Sequence, residues 1–140
     1  MAAAGEDGRP GYGYFSVQLT GREVPGGGDS DGQGYVRLDL DPEHETACFV
    51  TKWRRVNGAV TAFRLHAGHR GSVGPRRIDF FNGKHFDGRQ NTVTGCVHVD
   101  GSPGMSSREK IEAVIRNPSG FYLSLHSTEF EDGAIRGQLG

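Results

Sequence analysis

Histidine and arginine recur at alternating positions of three mostly apolar segments, and these side chains are the best suited to acid–base chemistry. Arg64 and His66 lie in the first segment, His126 lies in the second, and Arg136 lies in the third. Histidine titrates near neutral pH and can accept or release a proton, whereas arginine stays charged and stabilises developing negative charge. We predict an enzyme that cyclises, isomerises or hydrolyses a small molecule. His66 and His126 would be its general acid and base, and Arg64 and Arg136 would stabilise an anionic substrate or intermediate.

Strand alternation decides which side chains accompany these groups, because successive residues of a strand point to opposite faces. Tyr122, Ser124 and His126 share one face of their segment, while Leu123 and Leu125 share the other. We predict that Tyr122 and Ser124 bind the substrate beside His126. The pattern leaves open whether this polar face is solvated or forms the wall of a pocket.

A metal centre built from His66, His69 and His126 is an alternative interpretation, with Glu23 or His85 as a further ligand. Imidazole binds zinc, copper and iron, and catalytic zinc sites combine three protein ligands with an open fourth position. The acid–base interpretation needs no cofactor. The metal interpretation needs a transition metal such as copper or zinc.

The elements that would position these residues are short strands separated by clusters of Gly, Asn, Asp and Pro, which is typical of an all-β domain. We predict an antiparallel, Greek-key-like sandwich or flattened barrel of about eight strands. The strands are expected at residues 14–20, 33–41, 46–54, 59–66, 76–81, 92–100, 121–127 and 134–139. A Ser106 to Glu109 capping box and the stop signal Asn117-Pro118 predict one short helix at about residues 106–116. Asn57-Gly58 predicts a tight hairpin between the third and fourth strands.

Length and charge limit the classes of function. The chain has 140 residues and a formal net charge of -1, which fits one domain and gives no reason to expect a nucleic acid partner. Residues 1–13 are expected to be a flexible arm and residues 14–140 the single domain. The sequence has neither an apolar run long enough for a membrane span nor the pattern of a signal peptide, so we expect a cytoplasmic protein without a membrane partner.

The two cysteines and the strand edges carry two further expectations. Cys48 and Cys96 lie in apolar strands, and we expect two free, mostly buried thiols, with a single disulfide bridge as the alternative. Exposed edge strands of a small β domain make a homodimer possible.

Several motifs in the chain resemble the CHRD domain family, which is named after the repeats of chordin. The segments that carry the resemblance are Leu19–Pro25, Gly32–Leu38, Ala62–Pro75, Gly120–Ser127 and Gly133–Leu139. The resemblance places Glu23, His66, His126 and Arg136 on family motif positions, and it implies a substrate-binding role for Glu23. Where the family has His-x-His, this chain has Arg64-Leu65-His66, and the arginine favours binding of a carboxylate or enolate over binding of a metal.

The resemblance also implies a third interpretation, a non-catalytic binding module like the extracellular chordin relatives. Such a module needs an exposed apolar patch or a free sheet edge. Phe86 lies in a turn-rich stretch and could belong to such a patch. Under the enzyme interpretation, we predict that Phe86 lines the pocket for an apolar part of the substrate.

Overall fold

A computed structural model describes residues 11–140, and within them eight strands form a nearly closed, barrel-like antiparallel sheet. The strands are Gly13–Thr20 (β1), Gln33–Asp41 (β2), Thr46–Arg54 (β3), Val60–Ala67 (β4), Arg76–Phe81 (β5), Thr92–His98 (β6), Phe121–Ser127 (β7) and Ile135–Gln138 (β8). They are hydrogen-bonded in the order β5-β4-β7-β8-β1-β2-β3-β6. The all-β prediction is confirmed.

Alternating apolar residues form these strands because each strand buries one face in the barrel. In β2, for example, Val36, Leu38 and Leu40 are fully buried, whereas Arg37 between them is exposed. Phe63 of β4 stacks on Phe80 of β5 with ring centroids 4.6 Å apart. The interior is therefore mainly apolar, with Thr51 of β3 as a buried polar residue on the inward face.

One α-helix, Ser107–Arg116 (α1), occurs in the described part of the chain. The Ser106 side chain accepts a hydrogen bond from the Glu109 amide, and the Glu109 carboxylate accepts one from the Ser106 amide. This capping box satisfies amides that the first turn leaves without partners. Ile111 and Val114 are buried and join the core, so the predicted helix is confirmed. None of the described helices is long and apolar enough to cross a membrane.

The predicted hairpin at Asn57-Gly58 is wrong. β3 pairs with β2 and β6, whereas β4 pairs with β5 and β7, so the two strands belong to separate parts of the sheet. The Asn57 amide instead donates a hydrogen bond of 2.6 Å to the buried carboxylate of Asp29. The dipeptide therefore lies in a crossover that Asp29 anchors.

The expectation of free, buried thiols is also wrong. Cys48 of β3 and Cys96 of β6 lie directly opposite each other and form a disulfide. Cys48 is half-buried and Cys96 is exposed, because both point away from the core. The two cysteines are 48 residues apart in the sequence, and they meet because β3 pairs with β6. No local sequence pattern predicts that these two strands pair.

The predicted arm falls largely outside the described residues. Of its last three positions, Tyr12 is buried and Gly13 begins β1. The described domain thus begins before Tyr14.

Candidate functional site

A cavity of about 620 Å³ lies on the outer face of β4, β7 and β8. Loops cover this face, and the strand residues beneath them are largely buried although they point away from the core. The lining residues are Val24, Pro25, Gly27, His66, Val73, Tyr122, Ser124, His126, Glu129, Phe130, Glu131, Asp132, Gly133 and Arg136. The polar face that the sequence left undecided is thus the wall of a pocket.

Ser124 and His126 form a hydrogen-bonded pair at the floor of the cavity. The Nδ1 atom of His126 lies 2.9 Å from the carbonyl oxygen of Glu131, and Nε2 lies 2.8 Å from Ser124 Oγ. A carbonyl can only accept, so Nδ1 carries the proton and Nε2 of the neutral ring accepts from the serine hydroxyl. This is the arrangement of a nucleophile beside a base whose orientation is fixed by a third group.

His66 differs from His126 because one of its ring nitrogens has no partner. Nδ1 lies 2.9 Å from the Gly74 carbonyl oxygen and therefore carries the proton. Nε2 is buried and has no hydrogen-bond partner among the described residues. The ring stacks on Tyr122 with centroids 5.0 Å apart and lies 6.4 Å from the His126 ring. His66 thus lines the cavity and holds a buried acceptor that no described residue uses.

Burial keeps both rings uncharged at neutral pH. Burial lowers the pKa of His126 from 6.5 to about 4, and the charge of Arg64 acts in the same direction. Burial is also the main cause that lowers the pKa of His66, helped by the charges of Arg64, Arg76 and Arg136. Both histidines are therefore neutral bases in the resting site, although each ring still donates a hydrogen bond through Nδ1.

Arg136 anchors the covering loop and is only 2% exposed. Its Nη1 and Nη2 atoms donate to the carbonyl oxygens of Ser72 at 2.6 Å and His69 at 2.8 Å. The guanidinium carbon lies 3.4 Å from the centroid of the Tyr122 ring, a cation–π contact. Its Nε atom is buried without a hydrogen-bond partner among the described residues. Two residues of the cavity lining thus each hold one buried nitrogen without a partner among the described residues, an acceptor in His66 and a donor in Arg136.

Comparison with known proteins identifies the family. A family model for the CHRD domain matches residues 15–139, which is nearly the whole chain. The chain belongs to the CHRD domain family. No curated protein and no solved structure matches it. The predicted resemblance is confirmed.

Arg64 of this CHRD domain lies beside the cavity rather than in its lining. Its Nε atom donates to Asp79 at 3.2 Å, and Nη2 donates to Asn82 at 2.7 Å. Both partners belong to the β5 side of the sheet. The guanidinium is therefore engaged with β5, and Arg64 acts on the two histidines through its charge.

Glu23 and Phe86, which the sequence analysis predicts to contact the substrate, do not belong to the cavity lining. The Glu23 carboxylate forms a salt bridge of 2.6 Å with Arg70 of the covering loop. Phe86 packs on Trp53 and Phe81 at the edge of the core, with ring centroids 6.1 and 5.4 Å away. Glu23 thus holds the loop, and Phe86 completes the core.

The three-histidine metal site is not assembled in the CHRD domain. The backbone carbonyl of His69 binds Arg136, and the His69 residue is exposed, as is His85. Within residues 11–140, no group of three or more His, Cys, Asp or Glu side chains could hold a metal ion. The cause is the loop conformation, which presents main-chain oxygen atoms rather than the imidazole of His69.

Sequence reasoning missed the loop that closes the cavity after β7. Glu129, Phe130, Glu131 and Asp132 line the cavity, and the Glu131 carbonyl fixes His126. The only sequence signal is a group of three acidic residues that lie three, five and six positions after the strand histidine His126. That group shows nothing about which face of the sheet the loop will cover.

Proposed function

We propose that this CHRD domain is an enzyme that transforms a small molecule by proton transfer in the outer-face cavity. The observation that carries the proposal is the buried Nε2 atom of His66, which belongs to a neutral ring and has no partner among the described residues. Buried polar groups in proteins are almost always hydrogen-bonded, so such an atom marks a position that a substrate can satisfy.

His66 is the general base of the proposed reaction. Its Nε2 lone pair can accept a proton from a substrate O–H, N–H or activated C–H group, while the Gly74 carbonyl holds Nδ1 and fixes the ring. After the transfer, the positive charge on the ring is stabilised by that same carbonyl. The proton can then return to another atom of the substrate, as isomerisation and cyclisation require.

Ser124 and His126 have a different role, because the Nε2 atom of His126 is already occupied by the serine hydroxyl. That hydroxyl donates to His126, so its oxygen lone pairs orient a substrate donor or, in a hydrolytic reaction, attack a carbonyl carbon. We infer that the unpartnered Nε–H of Arg136, a residue of the cavity lining, stabilises negative charge that develops on a substrate oxygen. Arg136 is thus the arginine of the predicted pair that lines the cavity.

The experiment is a comparison of metabolite turnover. The full chain is incubated with a cell metabolite extract, and compounds consumed or formed are followed by mass spectrometry. We expect at least one compound to change with the wild-type protein and not with His66→Gln. His69→Gln is the matched control, because it replaces an exposed histidine of the adjoining loop and leaves the His69 carbonyl in place. If His66→Gln transforms the same compounds at the wild-type rate, His66 is not the base.

The cytoplasmic location stays a prediction, and the disulfide between Cys48 and Cys96 weighs against it. Structural disulfides persist mainly in oxidising compartments. The homodimer also stays a prediction.

A further inference from the structure

The charges around the cavity do not match the anionic substrate predicted from the sequence. Three acidic residues line it, Glu129, Glu131 and Asp132, against one arginine, Arg136. All three are exposed, and none of them forms a salt bridge within the described part of the chain. The negative charge of Asp132 is close enough to raise the pKa of His126 against the larger effect of burial. The rim of the cavity therefore favours a cation, whereas the positive charges of Arg64, Arg76 and Arg136 act on His66.

Arg136 offsets this field only in part, because it brings one positive charge against three negative ones, and most of its hydrogen-bonding capacity is used inside the protein. Two of its nitrogens donate to loop carbonyls, and its face covers the ring of Tyr122. The bidentate pairing through which arginine recognises a carboxylate needs two N–H groups that point the same way. Three of the five N–H groups of Arg136 donate to Ser72, His69 and Gln138, and Nε is the one guanidinium nitrogen without a partner among the described residues, which suits a single hydroxyl or carbonyl oxygen.

His66 adds an independent preference for a ligand that donates. Its buried Nε2 atom is a lone-pair acceptor, since Nδ1 holds the proton. A carboxylate has no proton to donate, so its oxygen atoms would face this lone pair with mutual repulsion. An ammonium group donates hydrogen bonds and is attracted by the acidic rim as well. Two observations, the unused acceptor and the rim charge, favour the same ligand.

We propose that the cavity selects a small organic ammonium compound, with an oxygen atom near the nitrogen for Arg136 and an apolar group for Phe130, Val24 and Val73. The inference rests on the proposed function, because it takes the same cavity as the substrate site. It changes the charge of the substrate from the sequence prediction and leaves the proton-transfer role of His66 unchanged.

The test uses three probes of one shape and different charge: phenylethanolamine, styrene glycol and mandelate. Each has a phenyl ring and a benzylic hydroxyl, and they end in an ammonium, a hydroxyl and a carboxylate group. Binding to the full chain is measured by calorimetry near neutral pH at low salt, where exposed charges act most strongly. We expect phenylethanolamine to bind about tenfold more tightly than mandelate, with styrene glycol between them.

Variants assign the preference to the rim. Replacing the rim carboxylates together, as Glu129→Gln, Glu131→Gln and Asp132→Asn, is expected to remove most of the tenfold preference. A control with the same change in net charge, Glu43→Gln, Asp100→Asn and Glu112→Gln, alters residues outside the cavity lining and is expected to keep it. His66→Gln is expected to weaken the binding of all three probes.

The outcomes separate the inference from the proposed function. If mandelate binds as tightly as phenylethanolamine or more tightly, or if the rim variant keeps the preference, the ammonium inference is overturned and the cavity remains a small-molecule site. If none of the three probes binds, the ammonium inference is overturned; if the probes bind and His66→Gln binds each as the wild type does, His66 does not contact the ligand. In that last case the proposed function falls, and the inference falls with it.

Discussion

The outer surface of the sheet has two halves that share the same alternating pattern of residues, but one half is exposed to solvent and the other is buried. On the open half, formed by the outward residues of β1, β2 and β3, Tyr35 is 40% exposed and Arg37 lies in solvent. On the covered half, formed by the outward residues of β4, β7 and β8, Tyr122 is 4% and Arg136 is 2% exposed. Each half thus has a tyrosine and an arginine. The pair on the open half is in solvent, and the pair on the covered half is buried.

The difference comes from the loops and not from the strands. The covered half is buried because loop carbonyls supply the hydrogen bonds that water supplies on the open half. Gly74, Glu131 and Ser72 each contribute a carbonyl oxygen to a histidine or arginine beneath them. Burying a polar group costs little only when such partners are present. A polar outer face can therefore become a pocket without any change in strand pattern.

Arg136→Ala should produce the largest loss of stability on the covered half. The substitution removes two hydrogen bonds from a charged donor and a cation–π contact, and it leaves the carbonyls of Ser72 and His69 without this donor. We expect the free energy of unfolding to fall by about 4 kcal/mol, measured by urea denaturation.

The matched variant on the open half is Arg37→Ala, which removes a hydrogen bond to Tyr14 and a cation–π contact in solvent. We expect the free energy of unfolding to fall by clearly less than in Arg136→Ala. Arg136→Lys keeps the charge but not the paired donors, and its stability should lie between that of Arg136→Ala and the wild type. Equal losses for Arg136→Ala and Arg37→Ala would show that the loop cover adds nothing.

Breaking the disulfide should lower stability and leave the cavity intact. Cys48 and Cys96 join β3 to β6, remote in the sheet order from the strands of the covered half. Reduction, or Cys48→Ser with Cys96→Ser, is expected to cost about 3 kcal/mol of unfolding free energy through the freedom that the unfolded chain regains. The same samples should bind cavity ligands with unchanged affinity, and a parallel loss of binding would show that the halves are coupled.

Acid should destabilise the domain through the covered half. The pKa of His126 is about 4 in the folded state against 6.5 in the unfolded chain, so the unfolded state takes up a proton first as the pH falls. Stability is thus complete above about pH 6.5 and decreases toward pH 4, by about 2 kcal/mol from this group. The lowered pKa of His66 adds to the effect in the same direction.

The check is urea unfolding at a series of pH values with the wild type and His126→Gln. The variant should be less stable at neutral pH and should lose less stability on acidification, because the titrating ring is gone. An identical pH profile for the two proteins would contradict the assignment to His126.

The smallest expected effect comes from a single hydroxyl group on each half. Tyr122→Phe keeps the ring between His66 and Arg136 and removes the acceptor for the Gly74 amide, 3.2 Å away. We expect a loss of about 1 kcal/mol in unfolding free energy. Tyr35→Phe removes an exposed hydroxyl that donates to Ser16 at 3.3 Å, and its midpoint of urea denaturation should stay near the wild-type value. A larger loss of stability in Tyr35→Phe than in Tyr122→Phe would contradict the conclusion that hydroxyl groups on the covered half contribute more.

Local patterns were sufficient to predict the strands and the helix. β2, β3, β5 and β7 begin and end where alternation and turn residues place them, because each strand buries one face and ends at flexible residues. Pairing between distant strands was not predictable in the same way. The disulfide and the crossover at Asn57-Gly58 both depend on which strands become neighbours, and this is decided by the packing of the whole sheet.

The candidate site was predictable as a set of side chains on one face. His66, Tyr122, Ser124, His126 and Arg136 all line the cavity, as alternation along β4, β7 and β8 indicates. The partners that set their chemistry were not predictable, because they are main-chain carbonyls of loops. A carbonyl is present in every residue, so no residue type marks the ones at Gly74 and Glu131 that fix the two histidines.

The covering loop after β4 is attached almost entirely through its main chain. Ser72 and His69 hold Arg136 by their carbonyls, and Gly74 binds His66 by its carbonyl and Tyr122 by its amide. At Gly74 a side chain is excluded, because a Cβ atom would overlap the Ala67 carbonyl oxygen. Val73, by contrast, lines the cavity and is 78% exposed. Side chains on this loop can therefore change the shape and polarity of the cavity while the main chain keeps the loop attached.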